Sequence, residues 1–269
     1  MRDLPASQPF AMPAHFGPRG SDARASGWYR DVTMMVVSYV TDRDKLASYL
    51  PEPFTVDEEP LITVVYASNK QVDWLAGHGY NLIGVHADAR FAGEREQLRG
   101  TYTLAMWENL TDPILTGREL QGIPKIYADI PEHTVTDGLW RAEARHFDNP
   151  IVDMQIDSLR PPTAEEIAAS TAAQQGRDNP MAWRYMPAIG GFGSSISEAT
   201  TFPSETHYHE VHVGNGKLAW QQLTWDQNPT QFHIVNAIQA LPVIEYRPAL
   251  VARCSVNLLV PDRLPRAIR

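Results

Sequence analysis

"FTVDEEPLITVVYASNKQVDWLAGHGYNLIGVHADARF", residues 54–91, decides the fold. It contains three runs, "FTV", "PLITVVYAS" and "YNLIGVHADARF", each rich in β-branched and aromatic residues and each bounded by Asp, Pro or Gly. Runs of this length, bounded in this way, read as strands rather than helices. Outward on the N-terminal side, "VTMMVVSYV" (32–40) has the same character and predicts a buried strand. Between them the period changes. Thr41 or Asp42 can cap a short helix that sets Leu46, Tyr49 and Leu50 on one face, and Pro51 stops it.

Outward on the C-terminal side, "RGTYTLAMWEN", "PILTGREL", "LWRAEARHF" and "PIVDMQIDSL" predict further strands. "PPTAEEIAASTAAQQG" predicts a helix, with Thr163 and Glu166 as a capping box and Gly176 as its stop. "AIGGFGSSISEA" (188–199) reads as a loop, and no Lys-Ser/Thr follows its glycines as a phosphate loop requires. "THYHEVHVGNGKLAWQQLTW" and "VARCSVNLLVP" return to strands, with Gly-Asn-Gly as a turn in the first, and "TQFHIVNAIQAL" between them predicts a helix ended by Pro242. The fold class is mainly β with a few helices, an α+β chain built on a curled antiparallel sheet or β-barrel. Residues 1–28 read as an irregular Pro- and Ala-rich arm, and 29–269 as one domain.

Composition narrows the function classes. The chain has 269 residues, 43% hydrophobic, with formal charge −9. It carries no run of Lys or Arg that would mark a nucleic-acid surface, and no apolar stretch long enough for a membrane span. Cys254 is the single cysteine, which excludes an intrachain disulfide and a cysteine zinc cluster. A soluble cytoplasmic protein is expected. His207, His209 and His212 suggest a metal site only at first sight. Strand alternation sends His207 and His209 to one face and His212 to the other. Ser194, Ser195 and Ser197 lack the G-x-S-x-G setting of a serine hydrolase.

One residue stands out against this background. Lys125, in "GRELQGIPKIYADI" (117–130), sits between Ile123, Pro124 and Ile126. An amine held in apolar surroundings loses hydration and becomes available as a nucleophile. Gln121, four positions earlier, is a polar group beside it, or equally a solvated turn residue. Tyr246, in "LPVIEYRP", alternates with Glu245 and Arg247, so one of those faces enters the sheet's interior, where a phenol can donate a proton.

The order "YLPEPFTVDEEPLITV", "GRELQGIPK" and the late "LPVIEY…LLVP" resembles the acetoacetate decarboxylase-like superfamily. The resemblance runs from about Val36 to Pro261. Its most specific piece is G-R-E-x-x-G-x-P-K, residues 117–125, with six fixed positions. It implies that Lys125 forms a Schiff base with a keto acid, that the enzyme is a lyase needing no cofactor and no metal, and that the chain assembles as a homo-oligomer. It also implies substrate-binding roles for Arg118 and Glu119, which an ion pair at the strand end would otherwise explain. Tyr80 and Arg30 are further candidates, the first at the head of a strand that carries a glutamate in the decarboxylases, the second as a carboxylate clamp.

The chain departs from the decarboxylases in three places. A second lysine directly follows the nucleophile there, and here the position is Ile126. The two pocket glutamates align with Val65 and Leu82. Those losses leave dryness as the means of activating Lys125, with Ile123, Ile126 and residues 62–65 as its wall. They also favour a second type of member, a pyruvate aldolase-dehydratase that joins a small oxo acid to an aldehyde. True acetoacetate decarboxylation is the alternative, and a non-catalytic barrel binding a small ligand is the second alternative.

Overall fold

A computed structural model describes residues 11–17, 26–258 and 264–269. Most of the N-terminal arm and residues 259–261 of "LLVP" lie outside them. Strand β1 (Trp28–Val40) leads into helix α1 (Arg43–Ala47), then β2 (Phe54–Val56), β3 (Leu61–Val72), β4 (Tyr80–Ala92) and β5 (Gln97–Glu108). Helix α2 (Thr111–Thr116) and a π turn (Gly117–Gln121) precede β6 (Lys125–Tyr127), β7 (Thr134–Thr136), β8 (Leu139–His146) and β9 (Asn149–Arg160). Helix α3 (Ala164–Gln174) is followed by β10 (Met181–Pro187), β11 (Ser194–Thr201) and β12 (Glu205–Trp220). Helix α4 (Phe232–Gln239), β13 (Glu245–Tyr246), β14 (Ala249–Asn257) and β15 (Arg266–Ala267) complete the chain.

Among the described residues the strands form one curled sheet in the order β15-β11-β10-β5-β4-β3-β1-β14-β12-β9-β8-β7, with β13 on β1, β2 on β4 and β6 on β5. Pairing is antiparallel except where β6 and β10 run parallel to β5. No described helix is long and apolar enough to cross a membrane.

Alternation along the central strands gives the sheet two unlike faces. One carries Met35, Val37 and Tyr39, Ile62, Val64 and Tyr66, then Ile83, Val85, Ala105 and Trp107, all buried. Val235 and Ile238 of α4 belong to the same core. Each such side chain contributes roughly 1.5–3 kcal/mol by leaving water. Gln231 ties α4 to this face: it accepts from Trp107 Nε1 at 2.8 Å and donates to the Tyr127 carbonyl at 2.9 Å. The other face carries Val36, Val65, Leu82, Met106 and Lys125. All but Lys125 are only half-buried, and the candidate site is on this side.

Three elements differ from the sequence expectations. The strand expected at "PILTGREL" is α2 and the π turn; Pro113, with φ fixed in the helical range, sits in the first turn and favours that start. Gly-Asn-Gly is not a turn but the middle of β12, where its ladder shifts between Val213 and Asn215. A Cβ on Gly214 would lie within 2.3 Å of the Asp157 carbonyl oxygen, so glycine is needed for strand approach there. The second half of the 188–199 loop is β11, paired with β10, which the sequence reading missed. The helix caps at Asp42 and at Thr163/Glu166 are as expected.

Candidate active site

The G-R-E-x-x-G-x-P-K stretch is a mount for the Lys125 side chain. Helix α2 widens into a π turn at Gly117, a form of irregularity frequent at functional sites. Gly117 lies flat against the lysine: a Cβ there would be 2.5 Å from both Cδ and Cε and 2.9 Å from Nζ. The Arg118 guanidinium donates to the Lys125 carbonyl at 2.9 Å. Gly122 ends the turn at φ +75, with Arg184 and Thr200 too close to admit a Cβ. Pro124 then offers its carbonyl to Met106 N–H at 3.1 Å, which starts the parallel β5–β6 pairing. Replacing Gly117 with alanine is expected to push the amine out of place and reduce its covalent trapping by at least about tenfold, since ångström shifts of a reacting group cost that much or more. Trapping within twofold of wild type would show that the close approach is dispensable.

Lys125 is buried, and its Nζ meets two partners. It donates to the Pro113 carbonyl at 3.2 Å and lies 2.8 Å from Glu108 Oε1. Glu108 is at the end of β5 and its side chain is fully buried. Burial pushes its carboxyl up, and the Lys125 charge opposes that without cancelling it. Neither carboxylate oxygen makes a well-aligned hydrogen bond among the described residues; the Nζ contact is close but poorly directed. A carboxyl held toward its neutral form, at contact distance from an amine, is suited to moving protons at that nitrogen.

Two phenols stand behind this pair. Tyr29 accepts hydrogen bonds from Trp74 Nε1 at 3.0 Å and from Tyr80 OH at 3.2 Å. Burial pushes Tyr29 up to about 12 and raises Tyr80 further, and the Glu108 carboxylate adds to both shifts. Both stay protonated and can only donate or accept neutral hydrogen bonds near neutral pH.

The remaining candidates fall on both sides of this arrangement. Gln121 is half-buried one turn after Gly117, with its carbonyl accepting from Thr200 Oγ1 at 2.8 Å. Tyr80 is in the cluster near Glu108. Tyr246 is not: it faces the main core beside Tyr39, and its hydroxyl accepts from the Leu218 N–H at 3.1 Å. The β1–β13 register puts Tyr246 opposite Tyr39, ten residues along β1 from Tyr29, or about 33 Å at strand rise. Arg30 is held outside by Asp73, with bonds of 2.8 and 2.7 Å and a side chain 56% exposed. Glu119 faces a surface cleft lined by Met12, Pro13 and Leu120, and no ion pair joins it to Arg118 among the described residues. His207 and His212 lie beside Glu205 and Glu210 on β12.

The dry wall expected around Lys125 also needs correction. Strand alternation turns Ile126 into the main core, next to the Trp107 row, so it does not face the amine. Ile123 is buried with Ala182 and Phe202. The amine's nearest neighbour is instead a carboxylate. Glu108 escaped the sequence reading because it closes an apolar strand 17 positions from Lys125, and only the β5–β6 pairing joins them. Leu82, aligned with one of the missing glutamates, is its ladder partner. The pocket therefore has an acid, supplied by the neighbouring strand.

Comparison with known proteins gives the family. The family described as acetoacetate decarboxylase (ADC) matches residues 11–250. The acetoacetate decarboxylases of Burkholderia cenocepacia (strain HI2424) and Burkholderia multivorans are each 35% identical over 133 residues, 49% of this chain and 49% of theirs. The chain thus spans about half the length of the curated relatives it matches. Among solved structures, acetoacetate decarboxylase from Legionella pneumophila superposes with TM-score 0.72 at 18% identity, covering 97% of this chain and 93% of that one. The enduracididine biosynthesis enzyme MppR complexed with pyruvate gives TM-score 0.68 at 13% identity, covering 96% of each chain. At these identities the structural likeness is one of fold. The match across 11–250, together with a lysine mounted by its own G-R-E-x-x-G-x-P-K turn, means that the chain belongs to the acetoacetate decarboxylase family.

Proposed function

We propose that the protein is a Schiff-base lyase for small oxo acids, with Lys125 as nucleophile and pyruvate addition to an aldehyde, then dehydration, as its reaction. The carrying observation is the buried Lys125–Glu108 contact at 2.8 Å. Lys125 Nζ attacks the ketone carbon of pyruvate. Starting from the ammonium, Glu108 relays two protons from nitrogen to the ketone oxygen, one before the attack and one after it, so that water leaves and an iminium remains. The pyruvate carboxylate sits on the iminium carbon, where its bond cannot feed the electron sink. A methyl proton can leave instead, to Glu108, and the resulting enamine attacks the aldehyde carbon.

Decarboxylation of a 3-oxo acid through the same iminium needs no base for a C–H bond, whereas enamine formation from pyruvate needs one beside the nitrogen. Glu108 thus favours the pyruvate route. The neighbour MppR, solved with pyruvate and with the condensation product of pyruvate and imidazole 4-carboxaldehyde, gives the same direction. The second reading, acetoacetate decarboxylation, draws on the names of the 35%-identical relatives.

Borohydride reduction in the presence of pyruvate tests the proposal. A stable adduct on the tryptic peptide containing Lys125, absent in Lys125→Ala, is the expected result. Labelling that persists in that variant would remove Lys125 as the nucleophile. Strong CO2 release from acetoacetate, lost in Lys125→Ala, would move the assignment to the decarboxylase.

A further inference from the structure

A second polar group stands beyond Met106 on the Lys125 face. The ring of His86, in β4, folds back over Gly84: a Cβ built there would lie 2.6 Å from His86 Nε2 and 3.3 Å from Met106 Cε. Gly84 pairs with Met106, and Met106 pairs with Lys125. The imidazole is therefore about two strand spacings, roughly 10 Å, from the lysine's strand. The absence of a side chain at Gly84 is what gives the ring this position.

A β-bulge fixes the ring's orientation. Pairing between β4 and β5 slips after Val85, with Leu104 the extra residue. The slip turns Thr103 onto the His86 face, as bulges beside functional sites commonly do. Its Oγ1 lies 3.2 Å from His86 Nδ1, and Thr103 is fully buried. Nε2 has no hydrogen-bond partner among the described residues. His86 is only half-buried, yet protein encloses it closely enough to push the imidazole down to about 4, so it is neutral near pH 7.

We propose that His86 Nε2 is the hydrogen-bond contact for the carbonyl oxygen of the second substrate, a small aldehyde attacked by the enamine on Lys125. The assignment rests on the aldol reading above. The assignment takes Thr103 as the donor to Nδ1, the tautomer that carries the ring proton on Nε2. A neutral N–H suits a neutral carbonyl; a carboxylate would call for a guanidinium. The half-buried faces of Val65, Leu82 and Met106 around it favour an apolar aldehyde.

Three full-length variants test the assignment: His86→Phe, His86→Gln and Gly84→Ala, the last displacing the ring without altering it. Each is assayed for borohydride trapping with pyruvate alone and for product formation from pyruvate and benzaldehyde. Trapping within about twofold of wild type is expected in all three. His86→Phe and Gly84→Ala should lose at least about tenfold in kcat/KM for benzaldehyde, the scale of one lost hydrogen bond at a reacting oxygen. His86→Gln, whose amide restores a donor, should recover part of that loss. Unchanged kcat/KM for benzaldehyde, or trapping that falls as far as addition does, overturns the assignment. Wild-type trapping without product from benzaldehyde or acetaldehyde leaves the Schiff-base lysine standing and overturns the aldehyde contact. No trapping in wild type overturns both.

Discussion

Replacing Glu108 with glutamine is expected to slow formation of the pyruvate adduct on Lys125 by about 100-fold or more, the ordinary range for losing a positioned acid–base group. Glutamine preserves the shape of the side chain and can still accept from Nζ across the 2.8 Å contact. It cannot take a proton from nitrogen and hand it to a departing hydroxyl. The variant should therefore remain folded and bind pyruvate, with the loss falling on the rate of trapping and not on its concentration dependence. The limb of the pH–rate profile that reports this carboxyl should disappear as well. If Glu108 served only as a charge partner for Lys125, glutamine would leave the trapping rate within a few-fold of wild type across the pH range, and the acid–base role would be lost.

His86 carries the second large effect, on stability. Its imidazole titrates near 6.5 in an unfolded chain and at about 4 in the folded one, because burial penalises the cation. Below pH 6.5 the unfolded chain takes up the proton while the folded chain resists it. The contribution from His86 is thus intact above 6.5, declines as pH falls from 6.5 toward 4, and is gone below 4. That difference converts to about 3 kcal/mol, an order-of-magnitude figure, with up to one proton of pH dependence. Denaturant unfolding of wild type and His86→Gln at a series of pH values isolates it, since the remaining titratable groups are common to both. Wild type should lose stability more steeply between pH 6.5 and 4. Parallel curves would mean that the imidazole is solvated and already charged at mildly acid pH.

Much of this architecture is local, and local features are legible in a sequence. β1, β3, β4, β5, β8 and β9 follow from β-branched and aromatic runs between turn residues, because a strand needs only a pattern its own residues carry. α1 and α3 follow from their caps. Lys125 was legible from its apolar company and its motif. The motif's physical content was not. Gly117 is glycine because the lysine's methylenes lie against it, and Arg118 is arginine because a strand carbonyl needs a donor; both partners arrive only when the chain has turned back on itself.

What sequence could not supply was side-chain company across strands. Glu108 lies two ladder positions beyond Met106, the partner of Lys125, and neither neighbour in sequence hints at the lysine. Ile126 looked like the wall of the site and is core, because alternate residues of a strand point to opposite faces. Tyr246 and Arg30 had suitable chemistry but are engaged by Leu218 and Asp73. His86 faces the Lys125 side together with Thr103 because a single residue, Leu104, is extra in the ladder, and no periodicity in either strand announces that slip. The sequence alone determined the class of fold and singled out Lys125, since both are written in short-range pattern. Tertiary structure decided what surrounds that amine, since strand register sets it and one residue of slip changes which groups share a face.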